Sequence, residues 1–160
     1  MDKTKNVFIS HHRKDEDQIE KLKTLLAPKG YQLKNSSIDT SKRGKATSKD
    51  AIRRLLRMRI SWSGTFICLV GTQTAERSWV DWEIKNADRK DKSIIGVFLN
   101  GGKENDVPEA LNKLGDSLVT WRADKIIGAI EGSLKGEENW CAPNGNPREG
   151  QYSIPHETCS

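Results

Sequence analysis

Thr65-Phe66-Ile67-Cys68-Leu69-Val70 runs into the turn Gly71-Thr72-Gln73-Thr74, and after three intervening residues comes Ser78-Trp79-Val80-Asp81-Trp82-Glu83. The first segment is apolar almost throughout, as a strand covered on both faces must be. The last reads as a helix start. Ser78 with Asp81 three residues on approximates a capping box, which predicts Ser78 as N-cap and Trp79 as the first helical residue. Trp79 and Glu83 are then four apart on one face. In an open parallel sheet, ligands bind outside the carboxyl ends of the strands. The spacing therefore offers an indole, which could stack on a planar ring, and a carboxyl group that could accept from sugar hydroxyls. The plainer expectation is that Trp79 packs on the sheet and Glu83 is solvated, with Trp82 and Ile84 facing the core.

Working outward, the chain alternates strand and helix. Asn6 to Ser10 is a short buried strand that leaves through the polar turn His11-His12-Arg13-Lys14. Asp15 or Asp17 should cap a helix with Ile19, Leu22, Leu25 and Leu26 on one face, stopped by Pro28 and Lys29-Gly30. Tyr31 to Leu33 is a weak second strand. The polar stretch from Asn35 to Ser48 is longer than a connection needs, which points to a binding or gating loop. A second helix starts at Thr47 or Ser48 and carries Ala51, Ile52, Leu55 and Leu56, with arginines opposite.

After the third helix, expected to end near Asp88, come a strand from Ser93 to Leu99, a short helix over Pro108 to Leu114, a last strand over Ser117 to Thr120 and a helix over Ala123 to Leu134. Five strands and their helices predict a doubly wound α/β fold of flavodoxin-like type, a parallel sheet with helices on both faces. Residues 1–135 form this domain. Residues 136–160 contain one sizeable aliphatic side chain, Ile154, among several Pro, Gly and Asn, and read as an irregular tail.

Composition narrows the function classes. The chain has 160 residues, 34% hydrophobic and 31% charged, with apolar runs far shorter than a bilayer span. Met1 to Lys5 lacks a secretory h-region and the three cysteines are scattered, so the expected location is the cytoplasm, without a membrane partner. Net charge is +5. Residues 41 to 60 hold eight Lys and Arg against Asp50 alone, +7, so the rest of the chain nets −2. Without aromatic interleaving, this basic helix reads as a solvated face or a phosphate or acidic-partner contact rather than a nucleic-acid surface.

Several chemistries fail by motif. No G-x-x-x-x-G-K-[ST] loop is present, and Ser10-His11-His12-Arg13 is not a dinucleotide glycine fingerprint. The acidic pair of a receiver domain is replaced by His11-His12. A triad of Ser10, a histidine and Glu83 would lack the G-x-S-x-G elbow. Cys141, His156 and Cys159 lack the paired spacing of a zinc site, no metal is expected, and a Cys141–Cys159 disulfide is equally unsupported. Cys68 reads as an inert core thiol. One of His11 and His12 either faces the crevice or lies in a surface turn.

The first-strand box Val7-Phe8-Ile9-Ser10, then Ser36-Ile38-Asp39 ahead of a loop, and Gly71-Thr72-Gln73-Thr74 followed by Trp79-Val80-Asp81-Trp82-Glu83-Ile84 and Ser93-Ile94-Ile95-Gly96-Val97, resemble a Toll/interleukin-1 receptor (TIR) domain. The similarity is to the small bacterial TIR-like group that includes the signal-producing proteins of Thoeris antiphage defence, and covers about residues 5 to 134. It implies that Glu83 is catalytic and that the nicotinamide N-glycosidic bond of NAD+ is cleaved, with NAD+ as substrate and no separate cofactor. Nicotinamide is already a cationic leaving group, so one carboxylate suffices where ordinary glycosides need two. Trp79 would stack on a ring, and Ser10, His11 and His12 would line the opposite wall. Arg43 or Lys42 would meet the pyrophosphate, with Asp39, Thr72 and Trp82 completing the binding set. Water as nucleophile would give ADP-ribose, an internal atom a cyclic isomer, another molecule a conjugate. The resemblance further implies self-association and a separate effector protein reached through the nucleotide product. The competing implication is a non-catalytic TIR interaction module.

Overall fold

In the computed structural model the structure describes residues 3–37, 48–76 and 78–148. Asp39, Lys42 and Arg43, together with His156 and Cys159, lie outside the described residues.

Five strands, β1 (Lys3–Ser10), β2 (Tyr31–Asn35), β3 (Thr65–Val70), β4 (Ser93–Phe98) and β5 (Ser117–Val119), pair in parallel in the order β2-β1-β3-β4-β5. This is the flavodoxin-like order, and the direction of winding reverses between β1 and β3. The expected fold class is therefore observed. The helices are α1 (Asp17–Leu26), α2 (Lys49–Trp62), α3 (Ser78–Arg89), α4 (Glu109–Leu114) and α5 (Ala123–Glu131).

Strict alternation along the central strands sorts the core into two halves. Phe8, Phe66, Cys68, Val70, Ile94 and Phe98 pack with Leu56 and Ile60 of α2 and with Val80, Ile84 and Ala87 of α3. Val7, Ile9, Ile67, Leu69, Ile95 and Val97 pack on the other face with Ile19, Leu22 and Leu26 of α1 and Ile126 and Ala129 of α5. Every residue of β3 is buried, which explains its unbroken apolar run. Phe8 and Phe66 stack across the β1–β3 junction at 5.5 Å. Gly96 is required where it stands. A Cβ there would lie 2.7 Å from both Leu111 Cδ2 and Leu118 Cδ1, so α4 and β5 close over a bare backbone.

Element ends differ from the sequence reading in physically informative ways. Neither Asp15 nor Asp17 caps α1; Glu16 is the N-cap residue and makes no capping bond with its side chain, which turns to His11 instead. Ser48 does cap α2, accepting from Ala51 N at 3.1 Å. The helix starts at Ser78 rather than Trp79, and Asp81 has a partner outside α3. Its Oδ1 accepts from Ala110 N at 3.2 Å, satisfying a donor at the start of α4. The last helix stops at Glu131, three residues before Leu134, because Gly132 takes a left-handed conformation at φ 69°.

Up to residue 148 the segment expected to be a surface tail is attached to the sheet. Trp140, 6% exposed, joins the core cluster on the α2/α3 face and bridges Leu118 in parallel. Cys141 N donates to Leu118 O at 2.8 Å and Arg148 N to Trp140 O at 2.9 Å. The Arg148 guanidinium stacks over the Trp140 ring at 5.8 Å and pairs with Glu104 at 2.7 Å. Trp140→Ala should cost about 3 kcal/mol, as truncation of a buried aromatic does. For a chain of this size that lowers Tm by roughly 10 °C in a thermal melt. An unchanged Tm would mean that the segment does not contribute to the core.

Candidate functional site

The alternation of β1 decides which side chains meet at its end. Ser10 follows Phe8 by two residues and so points to the face that carries α3. On α3, Val80, Ile84 and Ala87 are wholly buried against the sheet, and Glu83 is only 2% exposed beside them. Ser10 Oγ donates to Glu83 Oε1 at 2.6 Å, with Ser10 itself 1% exposed. A short hydrogen bond of this kind fixes the carboxyl group and offsets part of the cost of taking it out of water. Glu83 is thus buried and oriented, not solvated.

His11, one residue on, has the opposite parity and belongs to the α1 side. Its ring is 4% exposed, Nδ1 donates to Ile9 O at 2.9 Å, and Nε2 meets the Glu16 carboxylate. A carbonyl can only accept, so the proton on Nδ1 is fixed by geometry. His12 is half-buried, and its Nδ1 accepts from Lys14 N at 3.2 Å. At the end of β1, Ser10 thus meets Glu83 and His11 meets Glu16.

The turn after β3 is closed by a residue that sequence reasoning passed over. Thr74 is fully buried; its hydroxyl accepts from Gly71 N at 2.8 Å and donates to Leu69 O at 3.2 Å. Gln73 sits at φ 74°, a left-handed conformation that such a tight turn imposes. The readable signal was Thr74 itself, three residues after Gly71, a hydroxyl placed to hydrogen-bond its own turn. Thr72, the residue expected to bind, is exposed and its hydroxyl accepts from the Lys14 ammonium. Gly71 lies against Asp15, and a Cβ there would approach Asp15 Oδ2 and Leu99 Cδ1 to 2.9 Å each. That Asp15 oxygen is buried with no hydrogen-bond partner among the described residues. Burial pushes the Asp15 carboxyl above its ordinary range, against the pull of Lys14, His12 and His11.

On the other side of Glu83 stand two half-buried indoles. Trp79 and Trp82 meet edge to face at 5.6 Å and 84°. Arg53 of α2 lies over the Trp79 ring at 5.9 Å and Arg57 over Trp82 at 6.0 Å. Two of the arginines that made the second helix look like a solvated basic face are therefore seated on the tryptophans of α3. No group of three His, Cys, Asp or Glu among the described residues could hold a metal ion. No helix among them is long and apolar enough to cross a membrane.

The arrangement defines a doubly wound α/β protein with Glu83 buried beside two tryptophans on the helix that follows the central strand. The profile of the family described as Thoeris protein ThsB, TIR-like domain, matches residues 8–104. The chain belongs to this TIR-like family. A curated relative, "Putative cyclic ADP-D-ribose synthase ThsB1" of Bacillus cereus strain MSX-D12, is 30% identical over 104 residues, which is 62% of this chain and 54% of the relative. The match spans about half of that relative's length. Among solved structures the chain is similar to the CMP N-glycosidase BcmB of Clostridium botulinum, with TM-score 0.49 and 21% identity over 81% of this chain and 100% of that one. It is also similar to the TIR domains of the activated Roq1 resistosome, with TM-score 0.41 and 19% identity over 59% and 57% of the two chains.

The unpartnered Asp15 oxygen makes a prediction about pH. Because burial raises the folded-state pKa of this acid above its unfolded value, protonation stabilises the fold. Stability falls as pH climbs from the ordinary aspartate range through the raised value, and the penalty is complete above it. Asp15→Asn should therefore stabilise the protein at pH 7 by about 1 kcal/mol and much less at pH 3.5, read from denaturant melts at both pH values. A gain of equal size at both would contradict the assignment.

Proposed function

We propose that the chain is an enzyme that breaks the nicotinamide N-glycosidic bond of NAD+ and converts the remainder into an ADP-ribose-derived signalling nucleotide, cyclic or conjugated, in antiphage defence. The observation that carries this reading is the Glu83 carboxyl group, 2% exposed and held by Ser10 Oγ at 2.6 Å at the carboxyl edge of the sheet. Membership of the ThsB TIR-like family supports it, as does a relative whose name refers to cyclic ADP-D-ribose synthesis.

The chemistry needs little more than this. The bond from ribose C1′ to the pyridinium nitrogen breaks with its electron pair going to nitrogen, which releases neutral nicotinamide without a general acid. Positive charge then develops on the ribose. Glu83, as a carboxylate, stabilises that charge and accepts from the ribose hydroxyls, in a site where water cannot screen it. Ser10 is a positioning residue, holding one carboxyl oxygen so that the group keeps one orientation. Trp79 supplies a flat surface for a ring and excludes water. A nucleophile then adds at C1′, either an atom of the same nucleotide, a second molecule or water, and loses its proton to solvent. The product passes to a separate effector protein, and copies of the chain self-associate in the active state.

Concentrated protein incubated with NAD+ should release nicotinamide, with the adenine-containing product identified by mass. Glu83→Gln, which keeps size and removes charge, should slow release by at least about 100-fold. Ser10→Ala should lower kcat by roughly ten-fold with little change in KM, since it loosens the acid without touching substrate. If the wild type releases no nicotinamide at any protein concentration, the enzyme reading fails and a non-catalytic interaction module takes its place.

A further inference from the structure

We propose that Arg53 binds the anionic phosphates of the ligand whose ribose Glu83 holds, and that Asp50 competes for the same donors. This deepens the reading of Glu83 as the ribose-binding acid and rests on it. Four observations converge on Arg53. It lies in the second turn of α2, and Trp79 lies in the first turn of α3. In a parallel α/β sheet both helices begin at the carboxyl edge, where ligands bind. The guanidinium lies over the Trp79 ring at 5.9 Å, and Trp79 shares its helix with Glu83, one turn away. The Arg53 side chain is 40% exposed, so it is held against the ring while its edge stays open to solvent.

Geometry then says what the group can do. A guanidinium carries five N–H donors in a planar fork that matches two oxygens of a phosphate. One of those donors, on Nη1, is taken by Asp50 Oδ1 at 3.0 Å. That carboxylate is 83% exposed, so the pair is a weak surface contact that a better anion can displace. Losing Asp50 costs little, and the cation–π contact with Trp79 remains as the exchange occurs. Arg57 over Trp82 repeats the motif one turn further from the helix start. That second pair braces the first tryptophan, because the two indoles touch edge to face. A pyrophosphate diester, with two negative charges beside the ribose, fits a cation lying over the tryptophan one helical turn from the ribose-binding acid.

The test separates this role from a structural one because two substitutions should act in opposite directions. Calorimetric titration with ADP-ribose, which carries the pyrophosphate and no nicotinamide, should show Arg53→Gln weakening binding about ten-fold, the loss expected for one charge-assisted hydrogen bond. Asp50→Asn should tighten it by about two-fold or more, since the competitor is gone. Nicotinamide riboside, which lacks phosphate, should bind all three proteins alike. Arg53→Lys keeps the charge but loses the fork, and should fall between wild type and Arg53→Gln. In NAD+ turnover the loss at Arg53 should appear in KM with kcat nearly unchanged. Weakening by both Arg53→Gln and Asp50→Asn would mean that the ion pair merely supports α2, and would overturn the proposal. Equal ADP-ribose affinity in wild type and Arg53→Gln would overturn it as well. If wild type fails to cleave NAD+ yet binds ADP-ribose in the opposite-direction pattern, the phosphate role of Arg53 stands while the glycosidase reading falls.

Discussion

A side chain on a strand must point to one face of the sheet or the other, and at the end of β1 that constraint decides what the protein can do. Phe8 commits one parity to the α2/α3 face and Ile9 the other to the α1/α5 face. Ser10 and His11 inherit these directions, so one reaches Glu83 and the other Glu16. A slip of one residue in the pairing of β1 with β3 would exchange them. The register is held because both faces are packed, with Phe8 stacked on Phe66 on one side and Ile9 and Ile67 buried on the other. The hydrophobic core and the position of the acid are thus set by the same pairing.

The fold was legible because its signals are local and repeated. The apolar run from Phe66 to Val70 has no polar residue to place on either surface, so it could only be a central strand. Alternation with amphipathic helices then left few architectures. Helix ends were less readable, because they depended on partners distant in sequence. Asp81 looked like half of a capping box, yet its oxygen is taken by Ala110, 29 residues away. Trp140 looked like part of a polar tail because its neighbours are polar. What buries it is a gap beside Leu118 and Gly115 that the local sequence does not reveal.

At the site, Glu83 and Trp79 were readable from spacing after a strand, but their environments were not. Spacing places a residue on a helix; it does not say that Ser10 will be the partner, since that depends on strand parity and on α3 crossing the same face. The histidine pair was ambiguous for the same reason. The basic helix misled in another way. Lys and Arg at the surface are normally solvated, and nothing in residues 48–62 announces that two tryptophans on a different helix will take Arg53 and Arg57 onto their faces. That part of the positive charge therefore lies over the indoles of α3.

A buried ionisable group is costly, and its presence where packing does not require it is informative. A well-packed apolar residue is often as stabilising as a buried charged one, or more so. Position 83 adjoins Val80, Ile84 and Ala87, all wholly buried, so an aliphatic side chain would suit the helix at least as well as a glutamate. Nearby, Asp15 holds an oxygen with no partner among the described residues, and Gln73 carries a left-handed backbone. Three destabilising features lie close to one edge of the sheet, two of them at the ends of β1 and β3, where the winding reverses. The same kinds of departure occur at the far end of α3, where Asn86 holds a buried oxygen with no partner among the described residues and Asp91 is left-handed at φ 56°. What sets the switch-point edge apart is Glu83, a buried carboxyl group where an apolar side chain would pack at least as well, since groups that stabilise charge are not the groups that best fill a core.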